Sequence, residues 1–174
     1  MPHTLEPASS GRAKCRGCGQ KIEKGEIRLG ERQPNPFGDG EMTLWFHPTC
    51  AAFKRPEVFL EVLDTCDASG IDAETLRGFA EHSAGHRRRA RINGAQKAPT
   101  GRARCRHCKE MIGKGLWRVP LAYFEDGRFQ PSGFVHMTCV NDYFETTDVL
   151  DAIRHFSPEL TDADFVAIKA ELNA

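Results

Sequence analysis

Apolar residues recur along this chain in the same order twice. Near the end, Phe165, Ile168 and Leu172 fall at i, i+3 and i+7, with Thr161 placed as an N-cap and Asp164 completing a capping box. A short amphipathic helix is predicted there. Eighty-nine residues earlier, Ile71, Asp72, Leu76 and Phe79 stand where Leu160, Thr161, Phe165 and Ile168 stand, which predicts a matching helix. Val58 or Phe59, Val62 and Cys66 predict another helix before it. Strand character appears at 27–29 and again at 116–121. Each is followed by a loop with turn-forming residues, 33–40 and 124–133, and in the first copy by the apolar run 43–47.

The repetition extends to identity. GRAKCRGCGQKIEKGEIRLGE starts at Gly11 and GRARCRHCKEMIGKGLWRVPL at Gly101. The front halves align at an offset of ninety and everything from the histidine onward at eighty-nine, so the second loop is one residue shorter. Two tandem modules are therefore expected, 1–83 and 101–174, joined by a flexible basic linker at 84–100. The linker region, rich in Gly, Ala and Arg, contains no acid; HRRRAR at its start could instead prolong the preceding helix. Each module has fewer than ninety residues. Chains that small bury a limited core and commonly need a disulfide or metal staple.

The seven cysteines supply the staple. Cys15, Cys18, His47 and Cys50 form C-x2-C-x28-H-x2-C, and Cys105, Cys108, His136 and Cys139 form C-x2-C-x27-H-x2-C. A two-residue spacer lets a tight turn aim both side chains at one ion, and two such pairs complete a tetrahedron suited to Zn²⁺. Four protein ligands leave no position for water, so two structural, non-catalytic zinc ions are expected. Cys66 has no counterpart and is expected as a small buried hydrophobe. No apolar run is long enough to span a membrane, and the N-terminal stretch lacks a signal-peptide pattern. An intracellular protein is expected, in the nucleus of a eukaryote or the cytoplasm and nucleoid of a bacterium.

Lysine plus arginine balance aspartate plus glutamate at 24 each, yet the charges are segregated. Residues 11–28 carry Arg12, Lys14, Arg16, Lys21, Lys24 and Arg28 against Glu23 and Glu26. The copy carries Arg102, Arg104, Arg106, Lys109, Lys114 and Arg118 against Glu110. Acid collects in the tails, at Glu57, Glu61, Asp64, Asp67, Asp72, Glu74 and Glu81 and again from Asp142 to Glu171. A local field of one sign can hold a polyanion at zero net charge. Three thiolates with one Zn²⁺ would add about one negative charge per site, which the flanking cations also offset.

The long gap between CxxC and HxxC, the GRAxC lead-in, KIEKGEIRLG, the aromatic WFHPTC and the acidic tails DAETLRGF and TDADFVAI resemble the poly(ADP-ribose) polymerase-type zinc finger. The resemblance covers nearly the whole chain. It implies a small zinc-stabilised α+β fold, each module having a short antiparallel sheet, a Cys3His site and C-terminal helices. It also implies structure-specific, sequence-independent recognition of DNA strand breaks at nicks, gaps or ends. On this resemblance Arg12, Arg28, Arg102 and Arg118 look like phosphate contacts, with Lys14, Arg16, Arg104 and Arg106 beside them. Phe37 and Met42 in the first loop, and Phe124 and Phe129 in the second, would stack on exposed bases. Trp45, Phe46, Trp117, Phe134, Leu76 and Phe165 are expected in the cores; Phe134 and Val135 stand where the first module has Trp45 and Phe46.

No nucleophile with a base, paired carboxylate cleft or P-loop is apparent, and no catalytic domain is expected. The expected partners are broken duplex DNA and a repair or signalling protein, with the chain monomeric. About twenty linker residues would reach roughly 25 Å, enough for two fingers to grip both sides of a nick. Two other readings stay open: a zinc-stapled adaptor whose acidic tails dock a protein, and a general nucleic-acid binder without break preference.

Overall fold

The computed structural model describes residues 2–86 and 88–174. The chain divides into two compact units, 1–85 with 124–129, and 86–123 with 130–174.

In the first unit, strands β1 (Thr4–Pro7), β2 (Ile27–Pro34) and β3 (Glu41–Phe46) form an antiparallel sheet in that order. Helices α1 (Pro48–Lys54), α2 (Pro56–Thr65) and α3 (Ala73–Ala84) follow. Pro48 and Pro56 open α1 and α2, where a missing N–H costs nothing, and the Asp72 side chain caps α3 by accepting from the Thr75 N–H. The sheet's period of two sends Leu44 and Phe46 inward to meet Leu29 and Ile22, all at most 1% exposed. Phe59, Val62, Leu76 and Ala80 from the helices complete the core, and Phe53 stacks on Phe79 with centroids 4.7 Å apart. Each such large side chain contributes roughly 1.5–3 kcal/mol on burial.

Strand β6 (Trp117–Glu125) pairs with β4 (Arg91–Ile92), β5 (Gln96–Lys97) and β7 (Arg128–His136). A 3-10 turn at Met137–Cys139 leads into α4 (Val140–Phe144), α5 (Leu150–Phe156) and α6 (Asp162–Leu172). The core joins Ile112, Val119, Leu121 and Val135 to Phe144, Ile153, Phe165 and Ile168. The Thr161–Asp164 capping box at the start of α6 forms as the sequence predicts.

Four expectations are corrected. The stretch 84–100, expected as a flexible linker, instead lays β4 and β5 on β6 and buries Ala90, Ile92, Ala95 and Ala98. The Ser157 hydroxyl holds Ala95 at both its N–H and its carbonyl, so alanines that read as linker composition are packing residues. The alternative in which HRRRAR prolongs the helix ends at Gly85, which caps α3; Arg87 lies outside the described residues. The expected loop 124–133 is mostly strand, because Asp126 and Gly127 both take positive φ and close a two-residue hairpin turn. Cys66 is half-buried at the end of α2, its Sγ 3.8 Å from the His3 carbonyl, because the helix stops at Thr65. Trp45 and Phe134 are only half-buried: they lie on the strand faces opposite Phe46 and Val135, each beneath an arginine.

Candidate metal centres and nucleic-acid interface

Each module begins with a small knuckle. Lys14 bridges to Lys21, and Arg104 to Met111, folding the CxxC segment back on itself. The residue after the second cysteine must turn with positive φ, a conformation taken by Gly19 (76°) and by Lys109 (68°). The knuckle is tied to the sheet by Arg16 N–H donating to the Trp45 carbonyl at 2.9 Å, and by Arg106 N–H donating to that of Phe134 at 2.8 Å. His47, which follows β3 as the N-cap residue of α1, and His136, which ends β7, are thereby brought over the knuckle, each with the cysteine three residues on.

The result is two four-ligand sets, Cys15, Cys18, His47, Cys50 and Cys105, Cys108, His136, Cys139, the ligand atoms of each within 4.8 Å of one another. Cys18 Sγ lies 3.4 Å from His47 Nδ1, and Cys108 Sγ 3.3 Å from His136 Nδ1. Ligands at zinc's usual bond lengths in a tetrahedron stand about 3.5–3.8 Å apart, so both sets fit Zn²⁺. Backbone donors complete the fit. Gly17 and His47 N–H groups point at Cys15 Sγ, both at 3.3 Å, and His107 and His136 N–H groups at Cys105 Sγ, at 3.4 and 3.3 Å. Such donors stabilise a thiolate, the form that binds metal. The second ring nitrogen of His136 is held too, Nε2 hydrogen-bonding the Met111 carbonyl at 3.2 Å, and His47 Nε2 lies 3.9 Å from a Glu26 carboxylate oxygen.

Proton affinities follow from this crowding. Hydrogen bonds from Cys18 and then Cys50 bring Cys15 down to about 3, while Cys50, facing that thiolate, is pushed up. Burial raises Cys105, but the N–H groups of His136, Cys108 and His107 outweigh it and bring the thiol down to about 7. Burial and the neighbouring Cys105 push Cys139 to about 12. Zinc bound here displaces protons from at least one thiol per site and must be lost as pH falls. The Cys18 hydrogen bond raises His47. Lys54 is 3% exposed and donates to the Gly17 carbonyl at 2.6 Å within the knuckle; burial lowers it to about 8 against the pull of the thiolates. Aligning the modules puts Tyr143 at this position in the second. The first centre is the more enclosed: Cys50 is buried where Cys139 is half-buried, and Cys18 is half-buried where Cys108 is exposed.

The cations expected to face DNA separate into two groups. Arg12, Lys14, Arg16, Arg102, Arg104 and Arg106 are exposed on the knuckles. Arg28 and Arg118 are each 6% exposed and lie flat over a ring, Arg28 at 3.5 Å from Trp45 and Arg118 at 3.6 Å from Phe134. Alternation along β2 and β6 dictates this placement, a consequence that composition alone did not reveal. Among the candidate stacking residues, Phe37 stands 84% exposed at the turn after β2, and Met42 is half-buried on β3. Phe124 and Phe129 belong to the first compact unit, with rings 5.1 Å apart. There Arg55 lies over Phe124 at 4.0 Å, and Phe129 meets Phe46 edge-on at 6.4 Å. An open groove of about 580 Å³ in this unit brings Lys14, Arg16 and Arg128 beside Trp45 and Phe129, three cations against two aromatic rings. Arg128 is the member of this set that the sequence did not single out.

Residues 6–91 match the family described as the poly(ADP-ribose) polymerase and DNA-ligase Zn-finger region. A poly(ADP-ribose) polymerase of Sarcophaga peregrina is 29% identical over 143 residues, covering 72% of this chain and 14% of its own. Poly(ADP-ribose) polymerase 1 of Oryza sativa subsp. japonica is 31% identical over 146 residues, 76% of this chain and 14% of the relative. That of Caenorhabditis elegans is 38% identical over 87 residues, 47% of this chain and 9% of the relative. The chain thus spans about a seventh of the first two relatives, and its described residues contain no helix long and apolar enough to cross a membrane. With the Cys3His set formed twice in one repeated sequence, the chain belongs to the poly(ADP-ribose) polymerase-type zinc-finger family and carries two zinc modules in tandem.

Proposed function

We propose that this chain is a structure-specific, sequence-independent DNA-binding protein that recognises strand breaks and catalyses no reaction itself. The observation that carries the reading is the exposed basic triplet on each zinc knuckle, Arg12, Lys14 and Arg16 in one and Arg102, Arg104 and Arg106 in the other. Each triplet is held rigid by a metal centre. A phosphate backbone supplies the matching charge, and contacts of this kind fix register without reading sequence.

Preference for a break needs something that intact duplex hides, namely the flat face of a terminal base pair. The exposed Phe37 ring is suited to cover it, and stacking contributes roughly 1–3 kcal/mol per base. The basic groove beside Trp45 offers a further surface for phosphate and ring contact. A protein of this kind acts where DNA is, in a nucleus or a nucleoid, and hands the break to a repair or signalling protein.

The test is a titration of zinc-loaded protein against labelled duplex carrying a central nick and against the same duplex sealed, at matched salt. Tighter binding to the nick is expected, and equal binding would leave only a general nucleic-acid module. Phe37→Ala should lose roughly 1–3 kcal/mol on the nicked duplex and little on the sealed one. Replacing both Arg12 and Arg102 with alanine should weaken both complexes and lower the slope of log affinity against log salt by about two, one per phosphate contact. An unchanged slope would remove these arginines from the interface.

A further inference from the structure

The two stacked arginines are equivalent in fold but not in company. In the first module, β1 pairs with β2 so that Glu6 stands opposite Arg28, and Glu6 Oε1 accepts from Arg28 Nη2 at 3.0 Å. In the second, β5 pairs with β6 so that Gln96 stands opposite Arg118. The offset of ninety places Gln96 at the position of Glu6, and Lys97 at that of Pro7. The same edge strand therefore brings a carboxylate to one arginine, and an uncharged amide followed by a cation to the other.

The consequence is electrostatic. Arg118 is 6% exposed, has its Nε buried without a hydrogen-bond partner, and has no acidic partner among the described residues. Burial lowers its proton affinity. A guanidinium flat against Phe134 at 3.6 Å, with no anion beside it, carries a desolvation cost that an incoming anion would offset. Arg28 presents the same face to Trp45, and its Nε is likewise unpaired, but one Nη is already taken by a carboxylate that remains partly exposed.

We propose that the residue on this edge strand sets how strongly each module's stacked arginine takes a DNA phosphate: Glu6 occupies Arg28 as an internal competitor, and Gln96 leaves Arg118 open. The inference rests on the DNA-binding reading above and adds Glu6 and Gln96 as its affinity-setting residues. Phosphate and Glu6 seek the same guanidinium edge, so DNA must displace the carboxylate in the first module, whereas in the second it meets no competitor. The Glu6 end of the pair is 41% exposed, so water already competes for the carboxylate and an incoming anion can displace it.

Glu6→Gln and Gln96→Glu exchange the two arrangements, and Glu81→Gln, an exposed acid on α3, controls for the change of net charge. Each full-length variant, confirmed to hold two zinc ions, is titrated against the nicked duplex over a series of salt concentrations. Glu6→Gln is expected to tighten binding by about fivefold and steepen the salt slope by about one, and Gln96→Glu to do the reverse. Glu81→Gln should change affinity less than twofold. If Glu6→Gln behaves like Glu81→Gln, or Gln96→Glu leaves affinity and slope unchanged while the wild type still binds, the proposal is overturned and the DNA-binding reading stands. Wild-type protein that binds no DNA at all would overturn both.

Discussion

Withdrawing zinc from the full chain should unfold both modules, the second before the first. Structural zinc contributes an apparent 10–16 kcal/mol in small zinc-stapled peptides, about as much as or more than the whole stability of an ordinary domain, roughly 5–15 kcal/mol. Neither unit can spare that, because the metal ties the knuckle to the histidine at the end of the sheet and to the first helical turn behind it. The order follows from exposure. A chelator or proton reaches Cys108 directly, whereas Cys18 and Cys50 sit behind a knuckle closed by the Lys54 bond to Gly17. The chain has two tryptophans, Trp45 in the first module and Trp117 in the second, so each module has its own fluorescent reporter. A chelator titration should show the Trp117 signal change first, with zinc content falling from two per chain to one and then to none. Cys108→Ser should bind one zinc and lose only the Trp117 transition; Cys18→Ser should do the converse. Simultaneous loss at equal chelator would show that the difference in enclosure has no energetic weight, and a metal-free chain with native fluorescence would refute the structural role.

Much of this centre was legible before any coordinates. Ligand spacing is a local code, and a repeat shows it twice, so all eight ligands, the helix opened by Thr161 and the sheet-plus-helix order could be read directly. What escaped was whatever depends on which face a strand turns inward. Trp45 reads as core by composition, but its neighbours Leu44 and Phe46 already hold the inner face, and period two leaves the tryptophan outside under Arg28. Arg28 reads as exposed charge, yet the same register buries it. The segment 84–100 reads as a linker because Gly, Ala and Arg carry no periodic pattern. Two-residue strands are too short to show one, and their pairing is specified by β6, twenty or more residues away. The Asp-Gly pair at 126 and 127 was the clearest missed signal, since flanking strand residues around such a pair mark a hairpin rather than a loop.

The second large effect is expected at Glu31, a carboxylate only 1% exposed within the first module. Arg55 meets it in a two-pronged ion pair, Nε to Oε2 at 2.9 Å and Nη2 to Oε1 at 2.5 Å, and the Gln33 amide donates to Oε1. Arg55→Ala should cost about 3–5 kcal/mol, because it leaves a buried charge with only an amide to solvate it. Adding Glu31→Gln to that variant removes the stranded charge and should recover part of the loss, which keeps the test readable even if Arg55→Ala alone does not fold. The second module carries out the complementary substitution within the same protein: aligning the repeats puts Leu121 opposite Glu31 and Phe144 opposite Arg55, and both are buried, at 2% and 1% exposed. Glu31→Leu combined with Arg55→Phe should therefore be neutral or stabilising by about 1–4 kcal/mol, as replacement of a buried ion pair by apolar side chains generally is. Urea unfolding followed through Trp45 measures all three variants in the module concerned. A single Arg55→Ala cost below about 1 kcal/mol would mean that water reaches Glu31, and the ion pair would then be a surface contact rather than part of the core.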